Sequence, residues 1–298
     1  MLRLLERPGH HELLRVPPST RALVSWNGDA PAGGIALSVH RSDASVAESL
    51  LYARWSPEER RSLDGADPKT RIAVDVVHSD VPFSGIGVIS TVSLDAVAVS
   101  VPPPRGARVP KLRRVAPLDV PPLSQTVRGH PESARTWCSP TALAMLLRYH
   151  GVAVDVATVA HGVLDAAYAG TGNWAFNAAY AGARGLRGVV AYLRGLDHVA
   201  AFVAAGLPVA ISISWAGDEL PGAPLAHSDG HLIVVRGFEP SFVLVNDPAQ
   251  PAVVTRYARA ALEGVFAAHG AVAYLVAPRE RSEELVALAN AAGPAVRR

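Results

Sequence analysis

The chain has 298 residues, a formal net charge of +2, 49% hydrophobic residues and a single cysteine. The length suffices for two hydrophobic cores. The charge is too small to argue for nucleic acid, and no Lys/Arg block interleaves with aromatics. One thiol excludes an internal disulfide and is compatible with either redox compartment. No apolar stretch reaches the roughly eighteen residues needed to span a membrane. The first ten residues lack a hydrophobic segment of signal-peptide length, which predicts a cytoplasmic protein as written. Export from a missed upstream start or by another route is the alternative.

Over the first 110 residues, apolar and polar residues alternate at 22–26, 35–39, 49–53, 71–77 and 97–101, between clusters of Gly, Pro, Asp and Asn. That spacing predicts an all-β sandwich domain. Val101-Pro102-Pro103-Pro104-Arg105-Gly106 and the basic run 108–114 read as a linker. The expected domains are therefore 1–110 and 111–298. In architecture alone the first resembles carbohydrate- or surface-binding sandwiches, which makes a glycan or surface ligand one role. A scaffold that packs on the second domain and shapes its cleft is the other. The few charged residues on its strands point to a covered face.

Cys138 stands in Arg135-Thr136-Trp137-Cys138-Ser139-Pro140-Thr141, ahead of a run of helix formers that ends at Gly151. Pro140 fits the first turn of a helix, where its missing N–H costs nothing. Cys138 is thus expected at a helix N-terminus, where free N–H groups and the macrodipole favour the thiolate. The competing reading is a small core hydrophobe. Helical spacing continues over 154–167 and 175–183, the latter entered through the turn Gly170-Thr171-Gly172-Asn173-Trp174. Trp174 reads as a core aromatic rather than a cleft residue. A helix over 196–205 stops at Gly206; strands follow over 207–215 and 270–276. Helices first and an antiparallel sheet afterwards is an α+β order.

The run Leu232-Ile233-Val234-Val235 reads as a strand buried on both faces and opened by Gly230-His231. The chain turns at Glu239-Pro240-Ser241 and returns over 242–245 into Asn246-Asp247-Pro248. Antiparallel pairing would bring Asp247 or Asn246 beside His231, so that one of them fixes the imidazole. A metal site built on His227, Asp229 and His231 is disfavoured, because strand residues four apart lie roughly 13 Å apart.

Trp137-Cys138-Ser139-Pro140 before a helix, Gly230-His231-Leu232 opening a strand, and Val245-Asn246-Asp247-Pro248 closing the next together resemble the papain-fold cysteine peptidases. More narrowly, they resemble the bacterial branch related to the bacteriocin double-glycine leader peptidases, over about residues 115–278. The resemblance implies a papain-like peptidase domain and a triad of Cys138, His231 and Asp247. It also implies an oxyanion glutamine, which maps onto Gln125, thirteen positions before Cys138. The family usually carries glycine after the nucleophile; Ser139 in its place is expected to narrow the cleft or restrict the backbone, although serine is also a good helix N-cap. The expected function is a thiol-dependent peptidase or amidase acting on a peptide or protein, through an acyl-enzyme and without a cofactor. A transglutaminase-like acyl transferase and a catalytically silent peptidase-fold binding protein are the alternatives.

Overall fold

A computed structural model describes residues 1–104 and 109–291, so residues 105–108 of the expected linker lie outside the described residues. The protein is α+β with two antiparallel sheets. The first is built from β1 (Leu2–Glu6), β2 (His11–Asn27), β3 (Gly33–Arg41), β4 (Val46–Trp55), β5 (Arg60–Ser62), β6 (Ala66–Asp67), β7 (Thr70–Ala73), β8 (Val76–Ser90) and β9 (Ala96–Ser100). Hydrogen bonds join all nine strands into one sheet ordered β1-β9-β2-β8-β3-β4-β5, with β7 on β8 and β6 on β7.

Two strands differ from the sequence expectation for identifiable reasons. Alternation revealed only the second half of β2, because Pro17-Pro18 lacks ladder donors and reads as a break. The strand nevertheless continues through a register shift between Arg15 and Ser19. The segment 71–77, expected as one strand, is the β7–β8 hairpin, with Ala73 paired to Val76 and Val74-Asp75 at its tip. Val74 sits at φ +57°, a conformation that turn rules assign to Gly or Asn, so the sequence hid the turn.

The second half contains α1 (Ser133–Thr136), α2 (Cys138–Tyr149), α3 (Val156–Val163), α4 (Trp174–Ala183), β10 (Leu186–Tyr192), α5 (Leu196–Ala204), β11 (Val209–Ala216), β12 (His227–Phe238), β13 (Phe242–Asn246), β14 (Val254–Ala258), α6 (Arg259–Ala268), β15 (Val272–Pro278) and α7 (Ser282–Asn290). Its sheet runs β10-β15-β11-β12-β13-β14. Alternate residues feed two cores. Ile211, Ile233 and Leu275 pack with Phe202, Phe266 and Leu285 from α5, α6 and α7. Ala210, Val234 and Tyr274 pack with Leu143, Leu146 and Val159 from α2 and α3. This two-sided burial is why the central strands read as unbroken apolar runs. Among the described residues, no helix is long and apolar enough to cross a membrane.

The two sheets meet along β10, an edge strand of the second. Its free edge presents every second N–H, and the first sheet answers three of them with side chains. Gly188 N–H donates to Asn27 Oδ1 (3.2 Å), Val190 N–H to Ser25 Oγ (3.2 Å) and Tyr192 N–H to Ser100 Oγ (3.0 Å). Side chains on β2 and β9 thus cover an edge that would otherwise be open to strand pairing. Asn27 is the hub: its amide also donates to the Gly188 carbonyl (2.8 Å), and its Oδ1 accepts from Arg187 (3.0 Å). Helix α4 passes so close that a Cβ at Gly182 would meet Asn27 Cβ at 2.5 Å. Asn27→Ala should destabilise the protein by about 2–4 kcal/mol, because the Gly188 peptide and Arg187 lose buried partners. Urea unfolding monitored by tryptophan fluorescence measures this, and a loss below about 0.5 kcal/mol, the scale of an ordinary surface substitution, would contradict the hub.

Candidate active site

Helix α2 begins at Cys138 itself, with Pro140 in its first turn and the chain leaving at Gly151 in a left-handed conformation, as the sequence predicts. Trp137 gives no side-chain cap, so the first N–H groups stay free to face the sulfur or a ligand. Cys138 is partly exposed. Burial would push its thiol up, but hydrogen bonding and charge from His231, with the Leu232 and Ser139 N–H groups, hold it below the ordinary value.

His231 lies inside β12 rather than at its start, because the strand already pairs with β11 from His227 onward. Its Nε2–H donates to Asp247 Oδ1 at 2.7 Å, which leaves Nδ1 for the sulfur. Burial disfavours the imidazolium, yet the Asp247 and Cys138 partners outweigh it and raise His231 to about 10. Burial likewise works against the Asp247 carboxylate, but His231, Tyr257 and the Ala249 N–H hold it below the usual carboxylate range.

Strand register sends the two neighbours to different faces. Asn246 pairs with Val234, so Asp247 comes opposite Ile233 and shares the face of Ile233 and His231. Asn246 points elsewhere, its amide donating to the Val120 carbonyl at 2.9 Å. Two residues missed in the sequence complete this part of the site. Tyr257 on β14 donates its hydroxyl to Asp247 Oδ2 at 2.6 Å. Trp215 on β11 and His231 form a T-shaped ring pair with centroids 5.6 Å apart. The sequence marks Trp215 only as the end of a strand, and the β14 segment shows no clear alternation.

Gln125 is buried beside the Asp247-Pro248 turn, its backbone N–H donating to the Pro248 carbonyl at 2.9 Å. Its Nε2 donates to Ala134 O at 2.6 Å, which occupies one of two N–H groups, while Oε1 has no partner among the described residues. Ser139 lies at the cavity beside Cys138. It is 1% exposed, and its hydroxyl turns inward to the Tyr274 hydroxyl at 2.8 Å.

A cavity opens beside Cys138, walled by Thr136, Tyr168, the 169–172 turn, Trp174, Asp229 and His269. Trp174, expected in the core, instead divides its surface between the α2–α3 core and this cavity. Asp165, fully buried, fixes the loop: its Oδ1 accepts from Tyr168 N–H and from Ser62 N–H of β5, its Oδ2 from Asn173. The last wall comes from the first sheet, through Ala73, Val74 and Asp75.

The sequence pattern of the Peptidase_C39 like family matches residues 117–274, more than half of the chain. No curated protein matches the sequence. Similar solved structures include a chain described as a C39-like peptidase from Bacillus anthracis, 18% identical, covering 55% of this chain and 99% of that one (TM-score 0.40). A double glycine motif protease from an AMS/PCAT transporter, in complex with the leader peptide, is 18% identical over 56% of this chain and 99% of that one (TM-score 0.39). The peptidase domain of Streptococcus ComA is 18% identical over 53% and 98% (TM-score 0.38). On the family match, the chain belongs to the Peptidase_C39 like family and is a cysteine peptidase-like hydrolase.

Proposed function

We propose that the protein cleaves peptide or amide bonds by acyl transfer to Cys138. The observation that carries this reading is the chain of contacts from the helix-terminal sulfur through His231 to Asp247. The thiolate attacks the scissile carbonyl carbon, and its π electrons move to oxygen. The Cys138 N–H and the second N–H of Gln125 hold that oxyanion. Collapse expels the amine, which takes a proton from His231 Nδ1 and leaves a thioester. His231 then removes a proton from water as the water attacks, and the acid departs with the thiolate restored. Asp247 keeps the imidazole oriented and favours its charged form throughout.

In the same reading, residues 1–110 form an all-β, sandwich-like domain that serves as scaffold and cleft wall for a peptidase domain at 111–298. The β10 edge contacts and the placement of Asp75 support it.

A peptidyl nitrile or vinyl sulfone should add covalently to Cys138, read by intact mass and peptide mapping; no adduct would refute a live thiol. Asp247→Asn should lower turnover by about 10²–10⁴-fold, the range of general acid–base contributions. Asn246→Ala removes only the tie to Val120 and should act on stability instead. Steady-state kinetics and melting curves of the two variants give the ranking, and its reversal would move the orienting role to Asn246.

A further inference from the structure

The β7–β8 tip reaches out of the first sheet into the cleft of the second half. Asp75 is 7% exposed there, and its Oδ2 accepts the Trp174 N–H at 2.6 Å, at the start of α4. Its own backbone N–H is the carboxyl's other partner, no further one is found among the described residues, and Asp75 lines the cavity that holds Cys138. Such a group lacks a counter-ion, and the cavity supplies none at depth. Arg135 is an exposed residue of the rim, and burial holds His269 below the ordinary imidazole value. Asp229 adds a second carboxylate at the mouth. Trp174 and Tyr168 offer aromatic surface, and Ala73, Ala169, Gly170, Gly172 and Ser212 leave room for a long stem.

We infer that this cavity is a selectivity subsite for a cationic side chain of the peptide substrate, lysine or arginine, with the Asp75 carboxylate as its charge partner. The inference rests on the hydrolase reading above. A guanidinium or ammonium placed between Trp174 and Tyr168 would meet the Asp75 carboxylate and gain both a charge-assisted hydrogen bond and aromatic faces. An acidic side chain would meet an unscreened like charge.

Burial pushes the Asp75 carboxyl up to about 7, against the Trp174 and Asp75 backbone N–H groups, with the Asp165 charge adding to the rise. The other groups that feel its charge do not titrate alongside it. Burial pushes Tyr52, Tyr168, Tyr192 and Tyr274 up, and hydrogen bonds to Ser62, Asn173 and Tyr168 hold Asp165 down against its own burial. Preference for a cation therefore strengthens as pH rises through neutrality and Asp75 ionises.

The test is a set of fluorogenic peptides that carry lysine, arginine or norleucine at each position around the cut, read as kcat/KM. Norleucine keeps the stem and removes the charge. At one position the cationic peptides should be preferred by about tenfold or more. The ratio should grow between about pH 6 and pH 8, where the acid and alkaline limbs of Cys138 and His231 cancel because both peptides share them. Asp75→Asn retains an acceptor for Trp174 N–H and should bring the ratio near one and remove its pH dependence. If that variant does not fold, the pH slope of the unaltered protein decides. A protein that takes the Cys138 label yet cuts lysine and norleucine peptides equally overturns the subsite alone. One that takes no label overturns the hydrolase reading and the subsite with it.

Discussion

Replacing Cys138 by alanine should lower turnover on the order of 10⁴–10⁶-fold, the scale of losing a covalent nucleophile that acts as a unit with its base. The structural effect should be slight, because Cys138 is partly exposed and alanine suits a helix start. The unaltered thiol carries a sharper signature. His231 lowers the Cys138 value and Asp247 with Cys138 raises that of His231, so the two shifts together favour the thiolate–imidazolium form. The rate should rise as pH climbs through the lowered thiol value. It should fall only as His231 loses its proton, towards about 10. Iodoacetamide alkylation followed against pH should inflect well below the free-thiol value of about 8.5. In His231→Ala the inflection should move up, since burial then acts unopposed by the imidazolium. An inflection near the free-thiol value that ignores this substitution would dissolve the pairing.

The second large effect is expected on removal of the first sheet. A fragment beginning at Lys111 loses the acceptors for the Gly188, Val190 and Tyr192 N–H groups along β10. It also exposes Phe176 and Ala175 of α4, which pack into the core of the first sheet, and loses Leu2 from that of the second. Each orphaned buried N–H costs about 1–3 kcal/mol, and an open β10 edge is a site for intermolecular pairing. The fragment should therefore aggregate or melt at a much lower temperature, and any soluble part should lose activity through the missing Asp75 wall. Ser25→Ala with Ser100→Ala in the full chain isolates the edge from the rest, and should destabilise by about 2–6 kcal/mol on the same reasoning. A soluble fragment with a cooperative melt and full activity on a small peptide would reduce the first sheet to a tethered module.

The sequence by itself determined the chemistry that local pattern encodes. A cysteine followed by Pro140 and helix formers marks a helix start whatever surrounds it. Apolar runs at 232–235 and 242–245 around a Pro-containing turn mark a hairpin, and so bring either Asn246 or Asp247 near His231. Which of the two meets it depended on a single residue of register, which only the Val234–Asn246 pairing fixes. Tyr257 and Trp215 escaped notice because their roles lie across strands, where sequence distance carries no signal. The same holds for Ser25, Asn27 and Ser100. As isolated polar residues in apolar strands they carry no local signal, and their role arises only where tertiary packing lays β10 beside them. Asp75 was hidden twice, first by a hairpin turn built on Val74 in a left-handed conformation, then by a cavity wall drawn from two sheets. Local structure follows from short-range sterics and periodicity that the chain carries everywhere; cleft walls and edge partners arise only when segments a hundred residues apart are packed together.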